Sequence, residues 1–510
     1  MRDRRGVALL ALGLLAFGAG VWALHGFLVD DAYIAFRYVR QALRGQGWVY
    51  NVGERVEGYS NFLWLVGLLP LAWLGVDLVL AAKALGIAAG VGTLLAAQGL
   101  TRSLLRQERL PAWWAGWAAL LLGCNPAFAA WSVGGLETPL FTLLVTLAAW
   151  RWAVEEEAGR PSWPSGVLLG LAAMARPEGV LFFLLALMAK IGTARRAPTS
   201  SSPLPLFLAR LAGFVGVYLP YFLWRWAYYG FPLPNTVYVK SWGLHPRAFL
   251  EGTYYLYHLV TMHGGWAFLV GLAATLWLWR GPSAVARLLA LWAVGYLAMV
   301  WVGGGDWMPL GVHVLPLCLA LAVAGAARLA RTMGGRGTVW MAAVLVGTAA
   351  TLCLQSLDLR GVQGVGAGPW VSQPTAQARF LRHHVQPEDV VALTDAGHIA
   401  HFLPLDTRVV DMIGLTDVHI AHRPAQFPGG LLARGNGFGR WDVDYVLDQE
   451  PAWVQVNLLE GDPREGTART NWTGTDLLLA DPRFRARYEY VVEPGDPGVR
   501  GLFRRRVEGG

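Results

Sequence analysis

The sequence predicts a polytopic α-helical membrane protein with a C-terminal soluble α/β domain. Only 15% of its 510 residues are charged, whereas a soluble globular chain carries about 25%. Mean hydropathy is +0.40, and the apolar residues come in long blocks rather than at amphipathic spacing, the pattern that lipid selects. The last third breaks this pattern: it is polar and carries short β-branched runs bounded by turn residues. A domain boundary follows, with residues 1–356 in the membrane and 357–510 outside it.

The elements follow in order. Met1-Arg-Asp-Arg-Arg precedes an apolar run, which reads as a retained first helix over 7–27 with its basic end in the cytoplasm. Further apolar blocks lie at 79–100, 112–131, 139–153, 164–176, 179–193, 206–226, 265–279, 287–303, 309–327 and 338–356, giving about 11 transmembrane helices in all. The stretch 62–74 is too short to span and fits an interfacial or re-entrant helix. Threading from a cytoplasmic N-terminus puts the arginine-rich connections, such as Arg102/Arg106/Arg109 and Arg328/Arg331/Arg336, on the cytoplasmic side. Counting 62–74 as a span would put those arginines outside. Many of the 25 tryptophans stand at block ends, where aromatic belts meet headgroups.

From residue 357 onward there are 16 basic and 20 acidic residues, net −4, against +8 for the whole chain. The membrane part is therefore the basic one, and basic cytoplasmic loops account for it without a nucleic-acid partner. Strands are expected at 389–394, 408–413, 443–447, 453–456 and 488–492, with helices between them. Cys124, Cys318 and Cys353 all fall in apolar blocks, so no disulfide is expected in the outer domain. These features predict a multi-pass protein of the bacterial inner membrane, with the C-terminal domain periplasmic.

What remains on the outer side is acidic and aromatic. The long loop 25–61 opens with Asp30-Asp31-Ala-Tyr-Ile-Ala-Phe-Arg-Tyr-Val-Arg40, read as an amphipathic helix on the membrane surface. Asp30 is open to two readings, an N-cap or a general base at the lipid–water boundary. Glu57 and Asn61 are candidates for sugar hydroxyls, with Tyr59 as a stacking face. Ser60 or Asn61 could equally cap the start of the next helix. Lys83 lies about a turn inside a span, where a cation is costly and a lipid phosphate is its natural partner; snorkelling is the plain alternative. Glu137, Arg176 and Glu178 abut apolar blocks as candidate ligands or as an ion-paired group. Asn235 and Lys240 stand in another outer segment. Asp306 lies among glycines that permit close approach to a ligand, and His313 lies one to two turns deeper. His398/His401 and His419/His422 have metal-pair spacing, but no carboxylate or cysteine completes a site, so the metal ligands stay unknown.

Taken in order, Asp30-Asp31-Ala-Tyr, Gly-Trp-Val-Tyr-Asn51, Val-Glu57-Gly-Tyr-Ser-Asn-Phe-Leu-Trp64, Leu136-Glu-Thr, Ala-Arg176-Pro-Glu-Gly, Pro234-Asn-Thr-Val-Tyr-Val-Lys240, Gly-Gly-Asp306-Trp-Met-Pro and Val410-Asp-Met-Ile-Gly-Leu-Thr-Asp417 resemble the GT-C membrane glycosyltransferases. The nearest group is the mycobacterial terminal arabinofuranosyltransferases and the related flagellar motor control proteins. The resemblance covers most of the chain and implies a GT-C fold, a polyprenyl-phosphate sugar donor, a glycan or lipid acceptor and an aspartate base in the first outer loop. It points to Asp30, with Asp31 second. Where the family often carries Arg after the Gly-Gly-Asp segment, this chain has His313. The expected reaction is a single displacement that inverts the anomeric centre. Lys83 or Arg176 would stabilise the departing phosphate, with a divalent cation on the outer carboxylates as a candidate cofactor. Other classes are a transporter or flippase and a non-catalytic envelope assembly factor. Transport chains carry ionisable residues at mid-membrane and often internal repeats, whereas here the acids collect at one side.

Overall fold

The computed structural model describes residues 3–194, 204–240, 245–262, 283–304, 311–357, 375–426, 439–492 and 500–506. Among them, six helices are long and apolar enough to cross a membrane: α1 (Arg4–Ala23), α4 (Leu78–Gln107), α10 (Leu204–Tyr229), α13 (Ala284–Val302), α14 (Leu315–Thr332) and α15 (Gly335–Leu357). A seventh candidate is the pair α6 (Pro126–Val133) and α7 (Thr138–Ala158), which turns through 117° between them. The block expected at 112–131 is broken at Asn125, whose side chain accepts from Phe128 N and restarts the chain as α6 after α5 (Ala115–Gly123). Stretches 62–74, 164–176 and 179–193 form the shorter helices α3 (Phe62–Trp73), α8 (Pro164–Ala175) and α9 (Gly179–Ala194), and the block expected at 265–279 lies outside the described residues. The chain thus has the architecture of a multi-pass membrane protein.

Small residues let these helices meet backbone to backbone. Gly13 of α1 and Gly123 of α5 face each other so closely that a Cβ on either would strike the other helix's main chain. Such contacts replace the hydrophobic drive that lipid does not supply between helices. At the basic-loop end, the Arg210 guanidinium, only 2% exposed, pairs with Glu155 at 2.9 Å and Glu156 at 2.7 Å and lies over the Trp152 ring.

Residues 375–506 contain a five-stranded sheet in the order β2 (Arg408–Asp411), β1 (Val390–Leu393), β3 (Trp453–Gln455), β7 (Leu502–Arg505) and β6 (Tyr488–Val491). The first three strands are parallel and the last two antiparallel to their neighbours. Segment 443–447, expected as a strand, is the helix Val443–Asp448. The Asp442 side chain accepts from Tyr445 N and starts it, a local bond that a strand would forgo. Strand Leu502–Arg505, which pairs with Tyr488–Val491, was not expected from the pattern.

The helix α2 (Asp30–Leu43) does not lie on a membrane surface. Tyr33, Phe36, Arg37, Tyr38, Val39 and Gln41 are all buried, and α2 shares one apolar cluster with Trp64, Leu65 and the sheet residues Val391, Leu393 and Val409. Its basic face docks on backbone. Arg37 donates to the carbonyls of Tyr50 (3.0 Å), Ala400 (2.7 Å) and Thr407 (2.8 Å), Arg40 to His401 O (2.5 Å) and Gln41 to Leu405 O (2.8 Å). All but that of Tyr50 lie at the end of the short helix α17 (His398–Phe402) and in the turn after it, where a cation belongs. A surface reading of α2 fails because a guanidinium fork satisfied by carbonyls can be buried whole.

Candidate active site

The first turn of α2 places Asp30 and Asp31 where the chain leaves Val29, in extended geometry, with Val29 N donating to Gly134 O at 3.0 Å. Asp30 does not cap its own helix. Its Oδ1 accepts from His398 N at 2.6 Å, so it caps the start of α17 instead. Gly397 sits directly beneath it, and a Cβ there would overlap the Asp30 carbonyl and carboxylate. Burial, then the nearby charges of Asp395 and Asp31, push the Asp30 carboxyl well above the usual range, against the N–H groups of His398 and Gly397. Asp31 is its opposite, because its carboxylate accepts no hydrogen bond among the described residues.

Two cavities meet at Asp31. The one nearer the membrane, ≈ 90 Å³, is lined by Tyr59, Asn61, Glu137, Arg176 and Lys240 among others. The outer one, ≈ 340 Å³, is lined by Asp30, Thr394, Asp395, Asp411, Asn457 and Asn471 among others. Asp31, Ile34 and Leu415 line both. The larger falls within the roughly 300–1,000 Å³ of small-ligand sites.

Around the inner cavity the expected residues form a bonded set. Asn61 Nδ2 donates to Glu137 at 2.7 Å, Arg176 bridges Glu137 at 3.0 Å and Glu178 at 2.8 Å, and Lys240 is exposed at the rim. Tyr59 meets Tyr229, hydroxyl to hydroxyl, at 2.9 Å. Others among the expected ligands are used differently. Glu57 is buried in an ion pair with Arg225 of α10; burial pushes its carboxyl up and Arg225 offsets this. Asn235 donates to the carbonyls of Gly414, Leu415 and Asp417, holding the loop that carries Leu415. Lys83 donates to the His25 carbonyl at the end of the first helix and lines neither cavity. His313 is fully buried, with Nδ1 2.6 Å from the Tyr296 hydroxyl and the ring edge-on to Phe141. Glu57, Asn235, Lys83 and His313 line neither cavity, and each side chain meets a protein partner. Asp306 lies outside the described residues. Among the described residues no three His, Cys, Asp or Glu side chains converge on one point. His398 and His401 instead pack edge-on and tilted against Tyr33, and His419 bonds Asp442 at 2.9 Å.

Sequence reasoning missed the outer cavity's other wall. β2 and β3 flank β1 on opposite sides, so the chain order reverses there and a crevice opens outside the strands' carboxyl ends, the usual ligand position in such sheets. Asp395 follows β1, Asp411 ends β2 and Asn457 follows β3. Gln455, fully buried, accepts from Thr394 N, Thr394 Oγ1 and Asp395 N at 3.0–3.1 Å. Gln455 also donates to Asn457 (3.0 Å), which donates to Asp395 (2.7 Å). Burial raises the Asp395 carboxyl and Asn457 lowers it. Asp411, lifted by burial to about 6, takes N–H donors from Ile413, Gly414 and Thr416 and so shapes the loop to Leu415. The missed signal was a polar residue immediately after each of two apolar strand runs.

Known proteins were compared with this chain. A family model described as a domain of unknown function (DUF8728) matches residues 367–500. A terminal β-(1→2)-arabinofuranosyltransferase of Mycobacterium tuberculosis is 31% identical over 241 residues, 44% of this chain and 36% of the relative. The Corynebacterium glutamicum protein of the same name is 27% identical over 370 residues, 61% and 49%. The chain therefore spans half or less of the curated relatives it matches. Among solved structures, apo ArnT from Cupriavidus metallidurans aligns with a TM-score of 0.54 at 14% identity over 80% of this chain and 86% of that one. The apo Archaeoglobus fulgidus oligosaccharyltransferase aligns at 0.60, 12% identity, 95% and 73%. A. fulgidus AglB, in complex with an inhibitory peptide and a dolichol-phosphate, aligns at 0.52, 12% identity, 88% and 69%. The fold is that of ArnT and of the A. fulgidus oligosaccharyltransferase.

Proposed function

We propose that this protein is a glycosyltransferase that moves a sugar, arabinofuranose by its likeness to the curated relatives, from a polyprenyl phosphate to a hydroxyl of a cell-envelope glycan or lipid at the outer face of the bacterial inner membrane. The observation that carries this reading is the meeting of two cavities at an unbonded carboxylate, Asp31, one cavity carrying the cations Arg176 and Lys240 and the other polar and sugar-sized. The fold neighbour bound to a dolichol-phosphate supports a polyprenyl-phosphate donor.

The chemistry follows from placement. The donor phosphate lies by Arg176 and Lys240 and gains charge as the bond to the anomeric carbon breaks; fixed cations there lower the barrier. The acceptor hydroxyl enters from the outer cavity and gives its proton to Asp31 as it attacks. Asp31 replaces Asp30 as the preferred base, because Asp30 is engaged with His398 N–H and sits beside Asp395, while Asp31 lines both cavities and accepts no hydrogen bond among the described residues. A single in-line displacement inverts the anomeric carbon.

The test is a lipid-extract mass spectrum of host cells with and without the gene. The deletion strain is expected to accumulate a polyprenyl-phosphate pentose, which also identifies the donor. Unchanged lipid-linked sugars would sink the reading. The site's geometry makes a second prediction. Replacing Gly397 by Ala forces a methyl into the Asp30 main chain and carboxylate and shifts the start of α2. A displacement of about 1 Å costs on the order of 10²-fold in rate. The expected result, read as kcat/KM on purified protein with a melting curve as folding control, is such a loss with little change in Tm.

A further inference from the structure

We propose that the C-terminal α/β segment supplies the acceptor-recognition site. In it, Asp395, oriented by Gln455 and Asn457, and Asn471 across the cavity bind vicinal hydroxyls of the acceptor's terminal sugar. The inference rests on the transferase reading above and names the substrate class for the outer cavity, a neutral polyhydroxylated sugar ring.

The outer cavity is walled on one side by Asp30, Asp31 and Ile34 of α2 and on the other by Thr394, Asp395, Asn457 and Asn471. The second wall is built in advance of any ligand. Gln455 is sealed from solvent and fixes the 394–395 turn with three bonds to a single oxygen. Its amide then orients Asn457, which holds Asp395 at 2.7 Å. Only one Asp395 oxygen is engaged in this way, which leaves the other for a ligand hydroxyl. Asn471 Oδ1 is buried and finds no hydrogen-bond partner among the described residues. A buried carbonyl left without a donor is costly, and a sugar hydroxyl supplies one. A carboxylate and an amide oxygen held rigidly in one cavity accept from two neighbouring hydroxyls, and the bond to the carboxylate is charge-assisted. Among the described residues the lining of this cavity has no arginine or lysine, so a phosphorylated or acidic ligand is disfavoured there. It also opens onto Asp31, which places a bound sugar's free hydroxyl beside the base.

The experiment uses the purified full-length protein in detergent, a short-chain polyprenyl-phosphate arabinofuranose as donor and a synthetic arabinofuranosyl disaccharide as acceptor probe. Binding of the disaccharide is followed by saturation-transfer NMR without donor, and acceptor KM and kcat are followed with it. Asp395→Asn is expected to raise both the disaccharide Kd and its KM by about tenfold or more, with a smaller change in kcat. Asn471→Ala, which removes no internal side-chain bond among the described residues, is expected to act in the same direction by several-fold and stands in if Asp395→Asn does not fold. If both variants bind and turn over the disaccharide as wild type does, or if wild type does not bind it at millimolar concentration, the proposal is overturned. If wild type binds the disaccharide through Asp395 but transfers no sugar, the transferase reading falls and the binding site stands.

Discussion

Asp31→Asn is expected to lower sugar transfer by about 10²–10⁴-fold, the usual contribution of a positioned general base, while leaving the protein folded. The two parts of this expectation have separate causes. The rate loss comes from the proton, since an amide in the same place cannot accept it from the attacking hydroxyl. The intact fold comes from the absence of any hydrogen bond to the Asp31 carboxylate among the described residues, so that the substitution breaks none of them. Asp30→Asn makes the contrast. Its oxygen caps His398 N at 2.6 Å, and an amide preserves that bond only if its carbonyl, not its NH₂, faces the helix. Asp30→Asn is therefore expected to lower the melting temperature as well as the rate. The measurement is kcat with saturating donor and acceptor, beside a melting curve for each variant. Comparing donor and product anomers by NMR completes the test. Inversion fits a base, whereas retention would make Asp31 a nucleophile. A full-rate Asp31→Asn enzyme would remove Asp31 from the chemistry altogether.

The contrast between the two aspartates shows what the sequence could carry. The Asp30-Asp31 pair and the bonded set of Asn61, Glu137, Arg176 and Glu178 were legible because charged residues next to apolar blocks stand out in one dimension. The roles within the pair were not, because they depend on Gly397 and His398, more than 360 residues away in the chain. Asp395, Asn457 and Asn471 were illegible for a related reason. Each is an ordinary polar residue in a polar region, and only the strand order brings their ends together. Lys83 and His313 pose the opposite difficulty. Rarity of charge in an apolar block marks both a ligand and a satisfied structural residue, and only the partner, His25 O or the Tyr296 hydroxyl, separates the two.

The second large effect is structural and lies at the Glu57–Arg225 pair. Both side chains are nearly sealed, at 2% and 3% exposed. Arg225 also donates to Pro232 O at 2.7 Å, and Glu57 O accepts from Asn235 N at 2.9 Å. The pair thus fastens the end of the first outer loop to α10 and to the segment that holds Leu415. Removing one partner of a buried pair strands the other charge and costs about 3–5 kcal/mol. Arg225→Met is therefore expected to lower the melting temperature markedly and, by loosening Tyr59 and Asn61, to weaken donor binding. Because the cost lies in the orphaned carboxylate, Glu57→Gln in the Arg225→Met background should restore part of the stability, whereas independent effects would add. The pH dependence has a definite sign. Burial already raises the Glu57 carboxyl in the folded protein, and loss of Arg225 raises it further. The folded state then binds a proton that the unfolded chain has released, so stability falls as pH rises between the two pKa values. The deficit of Arg225→Met relative to wild type should accordingly be smaller near pH 5 than near pH 8 and should lose this dependence in the double variant. A deficit equal at both pH values would mean that the arginine acts through packing, not through the charge of Glu57.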